Sequence, residues 1–197
     1  MRPLGRRQLL TLAATVLASV AVSRAQAQLQ AQAAPRRGME LLKLQVTRSE
    51  EALSVSYDVR VDLPKDVEDA LNRGVSVVFV ATAELYRSRW YWTDKPRAQA
   101  EKRWRLSYQP LTRHWRVSFD GLSHSYDSLR EAMGVMVKAT QWRLIEPAPA
   151  LDDREHYLEF TFALDRNELP RPLQIGLSGE DDWTLSVFRR LPVTLAR

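Results

Sequence analysis

Residues 53–61, LSVSYDVRV, carry an apolar side chain at every odd position and a polar or charged one at every even position. Successive side chains of an extended strand point to opposite sides, so this period of two demands a strand with one wet face. The pattern recurs along the chain. Leu42, Leu44 and Val46 alternate with Lys43 and Gln45, and Ser49-Glu50-Glu51 offers a turn, so the two segments are expected to form an antiparallel hairpin. Val75, Val77, Phe79, Ala81, Ala83 and Leu85 mark one side of a long strand, with Val78 and Val80 making its first half apolar on both sides. Beyond Leu85 the odd positions become Arg87 and Arg89, while Tyr86, Trp90 and Trp92 take even ones. That shift predicts a bulge near 85–86 or a passage between sheets.

Another hairpin is expected where Trp104, Leu106 and Tyr108 alternate with Arg103, Arg105 and Ser107. Past a turn at 109–112, Trp115, Val117 and Phe119 alternate with His114, Arg116 and Ser118, and Asp120-Gly121 closes the strand. Residues 156–164, 173–177 and 183–188 read as further strands. Two helices interrupt them. One spans 64–74, with Pro64 at its start, Gly74 at its end and Val67, Ala70 and Leu71 on one face. The other spans 127–140, opened by the capping pair Ser128 and Glu131, with Leu129, Ala132, Met133, Met136 and Val137 on one stripe. Many short strands with two small helices predict an all-β antiparallel sandwich, immunoglobulin-like or related, with a partly open barrel as the alternative.

The first 27 residues obey a different logic. A basic start, an apolar run from Leu9 to Val22 and the small-residue site Ala25-Gln26-Ala27 make a signal peptide. The run is short for a membrane span, so no stable insertion is expected after cleavage. Arg6-Arg7 also resembles a twin-arginine signal, although Gly5 stands where a hydroxyl residue is usual. Residues 28–38 read as a flexible mature N-terminus, and 39–197 as one domain in the periplasm. The net charge of +5 is mostly the signal's: without its four arginines, 25 bases face 24 acids. That balance gives no reason to expect a nucleic-acid partner. There is no cysteine, which rules out disulfides, thiolate metal sites and cysteine nucleophiles.

Chemistry is sparse in the remainder. His114, His124 and His156 lack metal-binding spacing, and 152–156, DDREH, fits no known ion loop. Ser123, His124 and Asp127 lie close in sequence without a nucleophile-elbow motif. No cofactor or catalytic residue is assigned, and a non-enzyme is expected. The dense feature is 86–92, YRSRWYW, with four aromatic rings and two guanidinium groups. Within 86–116 nine bases face two acids, whereas 146–182 carries ten acids against three arginines. Alternation assigns Trp104 and Trp115 to the core and the arginines to the wet face, where long stems cover sheet. Candidate binding residues are therefore Arg87, Arg89, Trp90, Tyr91, Trp92, Arg103, Arg105 and Arg116. Local pattern leaves open whether the basic and acidic regions meet in one molecule.

The block LPKDVEDALNRGVSVVFVATAELYRSRWYW and the terminal DWTLSVFRRLPV, with the signal peptide and the absence of cysteine, resemble a proteobacterial family. It is the domain of unknown function numbered 4390, the proline-rich signal peptide proteins. The resemblance spans about 39–193 and brings no catalytic residues with it. Members of that family are commonly encoded beside a membrane sensor kinase of the nitrogen-regulation type, which implies an envelope partner protein, for example that kinase. The expectation is a periplasmic adaptor. The alternative is a small-ligand or glycan-binding module built on the basic aromatic strands.

Overall fold

A hairpin with an irregularity near its start opens the structure. The computed structural model describes residues 38–49, 52–88, 94–145, 156–171 and 183–193, which belong to one compact unit. Strand β1 (Gly38–Arg48) pairs antiparallel with β2 (Leu53–Asp62), as the alternation predicts. The register slips between Leu41 and Lys43, so Leu42 is an extra residue. Its side chain is 53% exposed, while Met39, Leu41, Leu44 and Val46 pack toward the core. Leu42 is thus not part of the inward set that the sequence suggests: the bulge moves the inward phase to Leu41.

Helix α1 (Lys65–Asn72) comes next, capped by the extended Pro64 and carrying Asp66 and Glu68 in its first turn, where acids complement the helix dipole. It buries Val67, Ala70 and Leu71. Gly74, at φ +88°, reverses the chain in a conformation that a side chain would strain. Then come β3 (Val77–Arg87), β4 (Lys95–Gln109), β5 (His114–Phe119) and β6 (Leu122–Tyr126). Asp120 and Gly121 both have positive φ, at 49° and 76°, so β5 and β6 are joined by a tight turn whose twist suits a hairpin.

Helix α2 is shorter than its apolar stripe predicts. It covers only Leu129–Gly134, with the Ser128 side chain accepting from the Glu131 N–H as the capping pair requires. The chain then leaves the helix because strand β2 claims the next carbonyls. The Val59 N–H donates to Val137 O at 2.9 Å, and the Tyr57 hydroxyl donates to Met136 O at 3.0 Å. Met136 is nevertheless fully buried, so the stripe keeps its partners while the backbone changes form. The remaining elements are β7 (Lys138–Ile145), β8 (His156–Leu164), a 3₁₀ turn (Arg166–Glu168) and β9 (Ser186–Val193). The expected strand at 183–188 begins later, at Ser186, although Trp183 and Leu185 are buried just ahead of it. The expected strand at 173–177 lies outside the described residues.

The strands form two antiparallel sheets, in the orders β1-β2-β7 and β6-β5-β4-β3-β8-β9. This is an all-β sandwich with two short helices. Its core is aromatic. Tyr57 of the small sheet lies 4.9 Å from the Phe160 ring and 6.2 Å from both Phe162 and Trp142. Phe162 in turn stacks on Phe79 and touches Trp104. Burial pushes the Tyr57 hydroxyl pKa well above its ordinary value. Trp104 and Trp115 are buried, as the alternation predicts.

Candidate functional site

The outer face of the six-stranded sheet is built by the even residues of β3 and their neighbours in register. Arg190, Glu159 and Glu84 form one row across β9, β8 and β3. Phe188, Thr161 and Thr82 form the next, and Ser186, Ala163, Val80 and Arg103 the one after. The middle of this face is low, because Val80, Thr82, Thr161 and Ala163 are small. With Arg103, Asp165, Arg166 and Asn167 they line a concavity of about 570 Å³. Phe188 stands beside it, 58% exposed.

One side of the concavity is an ion-pair network. Arg103 donates to Asp165 at 2.8 Å and to Glu101 at 3.0 Å, and Arg105 donates to Glu168 at 3.1 Å. The 3₁₀ turn positions both Asp165 and Glu168: Asp165 caps it by accepting from the Asn167 N–H, and the Asp165 N–H donates to Val78 O of β3. Bonding to Asp165 first, then Glu101, holds the Arg103 pKa above its usual value. The basic strand and part of the acidic region therefore meet within one molecule.

Further along the same face, beyond the row of Glu84 and Glu159, is an aromatic corner. Tyr86 and Tyr157 stack with centroids 5.4 Å apart, and the Arg190 guanidinium lies 4.5 Å above the Tyr157 ring. The Tyr157 hydroxyl donates to Asp94 at 2.7 Å, that of Tyr86 donates to Glu84 at 3.1 Å, and Arg190 Nε donates to Glu159 at 2.9 Å. Burial, and then the bond to Asp94, push Tyr157 up to about 12. Tyr86 is raised chiefly by its bond to Glu84.

The eight residues singled out from sequence do not form one patch. Arg103 and Arg105 lie on the outer face, and Arg116 lies on it too, exposed opposite Ser107 and Ser125. Arg87 does not. It continues the inward phase of β3, opposite Lys95 and His156, and its Nε is shielded from solvent. The phase of β3 never changes, since its register with β8 is unbroken from Phe79 to Arg87. The irregularity expected near 85–86 is present, but the extra residue is Arg97 of β4. Arg89, Trp90, Tyr91 and Trp92 lie outside the described residues.

Sequence reasoning missed Tyr157, Arg190 and the small floor of the concavity. The alternation in β8 contained the signal for Tyr157, Thr161 and Ala163 as its outer phase, but not their neighbours. Asp127 lies 3.4 Å from His114, while Ser123 lies 2.7 Å from Ser118, so the Ser123, His124 and Asp127 grouping is not assembled. His156 of the DDREH stretch is buried in β8, and residues 152–155 lie outside the described residues. Among the described residues, no three acidic or histidine side chains converge as a metal site would need. Nor is any helix among them long and apolar enough to cross a membrane.

Fold and face together define a two-sheet antiparallel sandwich with a concave, mixed-charge sheet face. The sequence matches the family described as a domain of unknown function, DUF4390, over residues 36–191, and the chain belongs to that family. No curated protein and no solved structure matches it.

Proposed function

We propose that this chain is an exported, non-catalytic periplasmic adaptor that docks an envelope partner protein on the outer face of its large sheet. The observation that carries the reading is the concavity floored by Val80, Thr82, Thr161 and Ala163, which no described element covers. Arginine lines it, and Tyr86 and Tyr157 lie further along the same face; both residue types are enriched at protein interfaces. The arginines are balanced by Asp165 and Glu168, so the face offers both signs of charge. Such a mixture suits a protein surface better than a polyanion such as nucleic acid. Export rests on residues 1–27 and the envelope partner on the family resemblance, with the outer portion of a membrane sensor kinase as the leading candidate. A ligand or glycan reading on the basic aromatic strands would use Trp90 and Trp92, which lie outside the described residues.

The test is a binding measurement between the purified protein and that outer portion of the kinase. A Thr82→Arg/Thr161→Arg double variant fills the concavity while leaving the core untouched. The reading expects measurable binding by the parent and at least about a tenfold loss in a folded double variant, as for an interface hot spot. Equal binding by both, or none by the parent, would sink it.

A further inference from the structure

Lys102 occupies a position that the pleat of β4 reserves for the core. It lies between the inward-facing Ala100 and Trp104 and is paired in register with the fully buried Ala81. Its ammonium sits 5.4 Å from the centroid of Trp142 and 5.8 Å from that of Phe119. Desolvation is what lowers its pKa, and no carboxylate lies within ion-pair reach of it among the described residues. Among the described residues ring faces are what the ammonium meets, which is weak compensation for a half-buried cation.

Helix α2, rather than the three-stranded sheet, packs against the inner side of β5 and β6. Between that side and β7 a cleft of about 270 Å³ opens, walled by Trp104, Phe119, Tyr126 and Val135. Lys102 is at one side of it, and His124 of β6 and Lys138 of β7 also line it. Lys138 is held 2.9 Å from Asp58 of β2, and among the described residues no acid lines the cleft itself. Apolar walls with an uncompensated cation call for an amphipathic anion. One half-buried ammonium matches one negative charge, and a dianion would bring a larger desolvation cost. The volume lies just below the range of about 300–1,000 Å³ typical of ligand pockets, which suits a small ligand rather than a large one.

We propose that this cleft binds a small apolar organic acid, its carboxylate on Lys102 and its hydrocarbon or ring against Trp104 and Phe119. The site is on the opposite side of the sheet from the partner-docking face and is independent of it.

Octanoate, with octanol as its neutral counterpart, is the probe. Binding would be followed by calorimetry and by the indole N–H resonances of Trp104 and Trp142. Octanoate is expected to bind saturably and to shift both resonances, with octanol at least about tenfold weaker, as loss of a charged hydrogen bond implies. Lys102→Met should weaken octanoate by a similar factor, and Val135→Trp should close the mouth and abolish binding. Failure of octanoate to saturate, equal binding of octanol, or undiminished binding in either folded variant would overturn the proposal. Should Lys102→Met not fold, the octanol comparison and Val135→Trp decide alone.

Discussion

Phe162 and Phe188 belong to neighbouring strands of one sheet, yet they answer to different physics. Phe162 of β8 faces inward with no exposed surface, packed among Tyr57, Phe79 and Trp104. Phe188 of β9 faces outward beside the concavity, 58% exposed. The same division governs the charges of β4. Arg103 and Arg105 on the outer face pair with acids, while Lys102, on the inner side, meets aromatic rings and no acid among the described residues. The outer face matches Arg103, Arg105 and Arg190 with acids and keeps an apolar ring in water. The inner face hides its rings and leaves a cation short of an anion. A surface that exposes a large ring beside paired charges has the makings of an interface.

Substitutions can break this contrast, beginning with the largest effect. Phe162→Ala should destabilise the protein by about 3–5 kcal/mol in urea unfolding, because a cavity opens where three rings meet. Phe188→Ala should change stability by no more than about 0.5 kcal/mol, as surface positions do. If the two losses were alike, the inward and outward assignment of β8 and β9 would be wrong.

Tyr57 tests the inner face with pH. Its folded pKa is raised by burial, so the folded state holds the proton longer than the unfolded chain does. Stability from this group is therefore complete below the ordinary value of 10.0 and is lost as pH rises from there through the raised folded value. Tyr57→Phe should cost about 1 kcal/mol at neutral pH, through the hydrogen bond to Met136. It should also remove part of the decline in stability measured above the ordinary value. A wild-type decline that Tyr57→Phe leaves unchanged would assign it to other groups.

Lys102 and Arg103 supply the finest comparison, adjacent residues with opposite expected signs. Lys102→Met should leave stability unchanged or raise it by up to about 1 kcal/mol, since an apolar side chain of similar length replaces a poorly compensated charge. Arg103→Ala should lower it by about 0.5 kcal/mol, an effect that shrinks as salt is added. Thermal unfolding at low and high salt separates the two. A salt-sensitive loss for Lys102→Met would mean that an acid reaches it after all.

Much of the sheet pattern is legible in the chain because alternation is local. The inward sets of β2, β3, β5 and β8 can be read from it, as can α1 and the capping of α2. Two strands and half of a third are not legible as such. β6 reads LSHSY and lacks an apolar phase, yet Asp120-Gly121 before it is a strong hairpin signal. The first half of β4 offers only Ala98 and Ala100 as inward residues, too little contrast to register as alternation. β7 is masked by the helix expected over 127–140, because Met136 and Val137 extend the stripe of α2, whereas β2 takes their carbonyls. The bulge at Leu42 is equally hidden, since only the pairing with β2 reveals an extra residue. On the candidate site, alternation places Arg103, Arg105 and Arg116 correctly on the wet phase of their strands and misplaces Arg87.

Which side of each strong strand is wet was written in the local pattern, because the pleat turns a period of two into two faces whatever the neighbours are. Which wet residues meet was a matter for the folded chain as a whole. Arg103 and Asp165 are 62 positions apart, and Tyr86 stacks on Tyr157, because β3 pairs with both β4 and β8. Strand order is chosen by burying the whole aromatic core at once, a non-local balance that no short window of sequence carries. The desolvation of Lys102 arises the same way, from Trp142 of the second sheet arriving over the middle of β4.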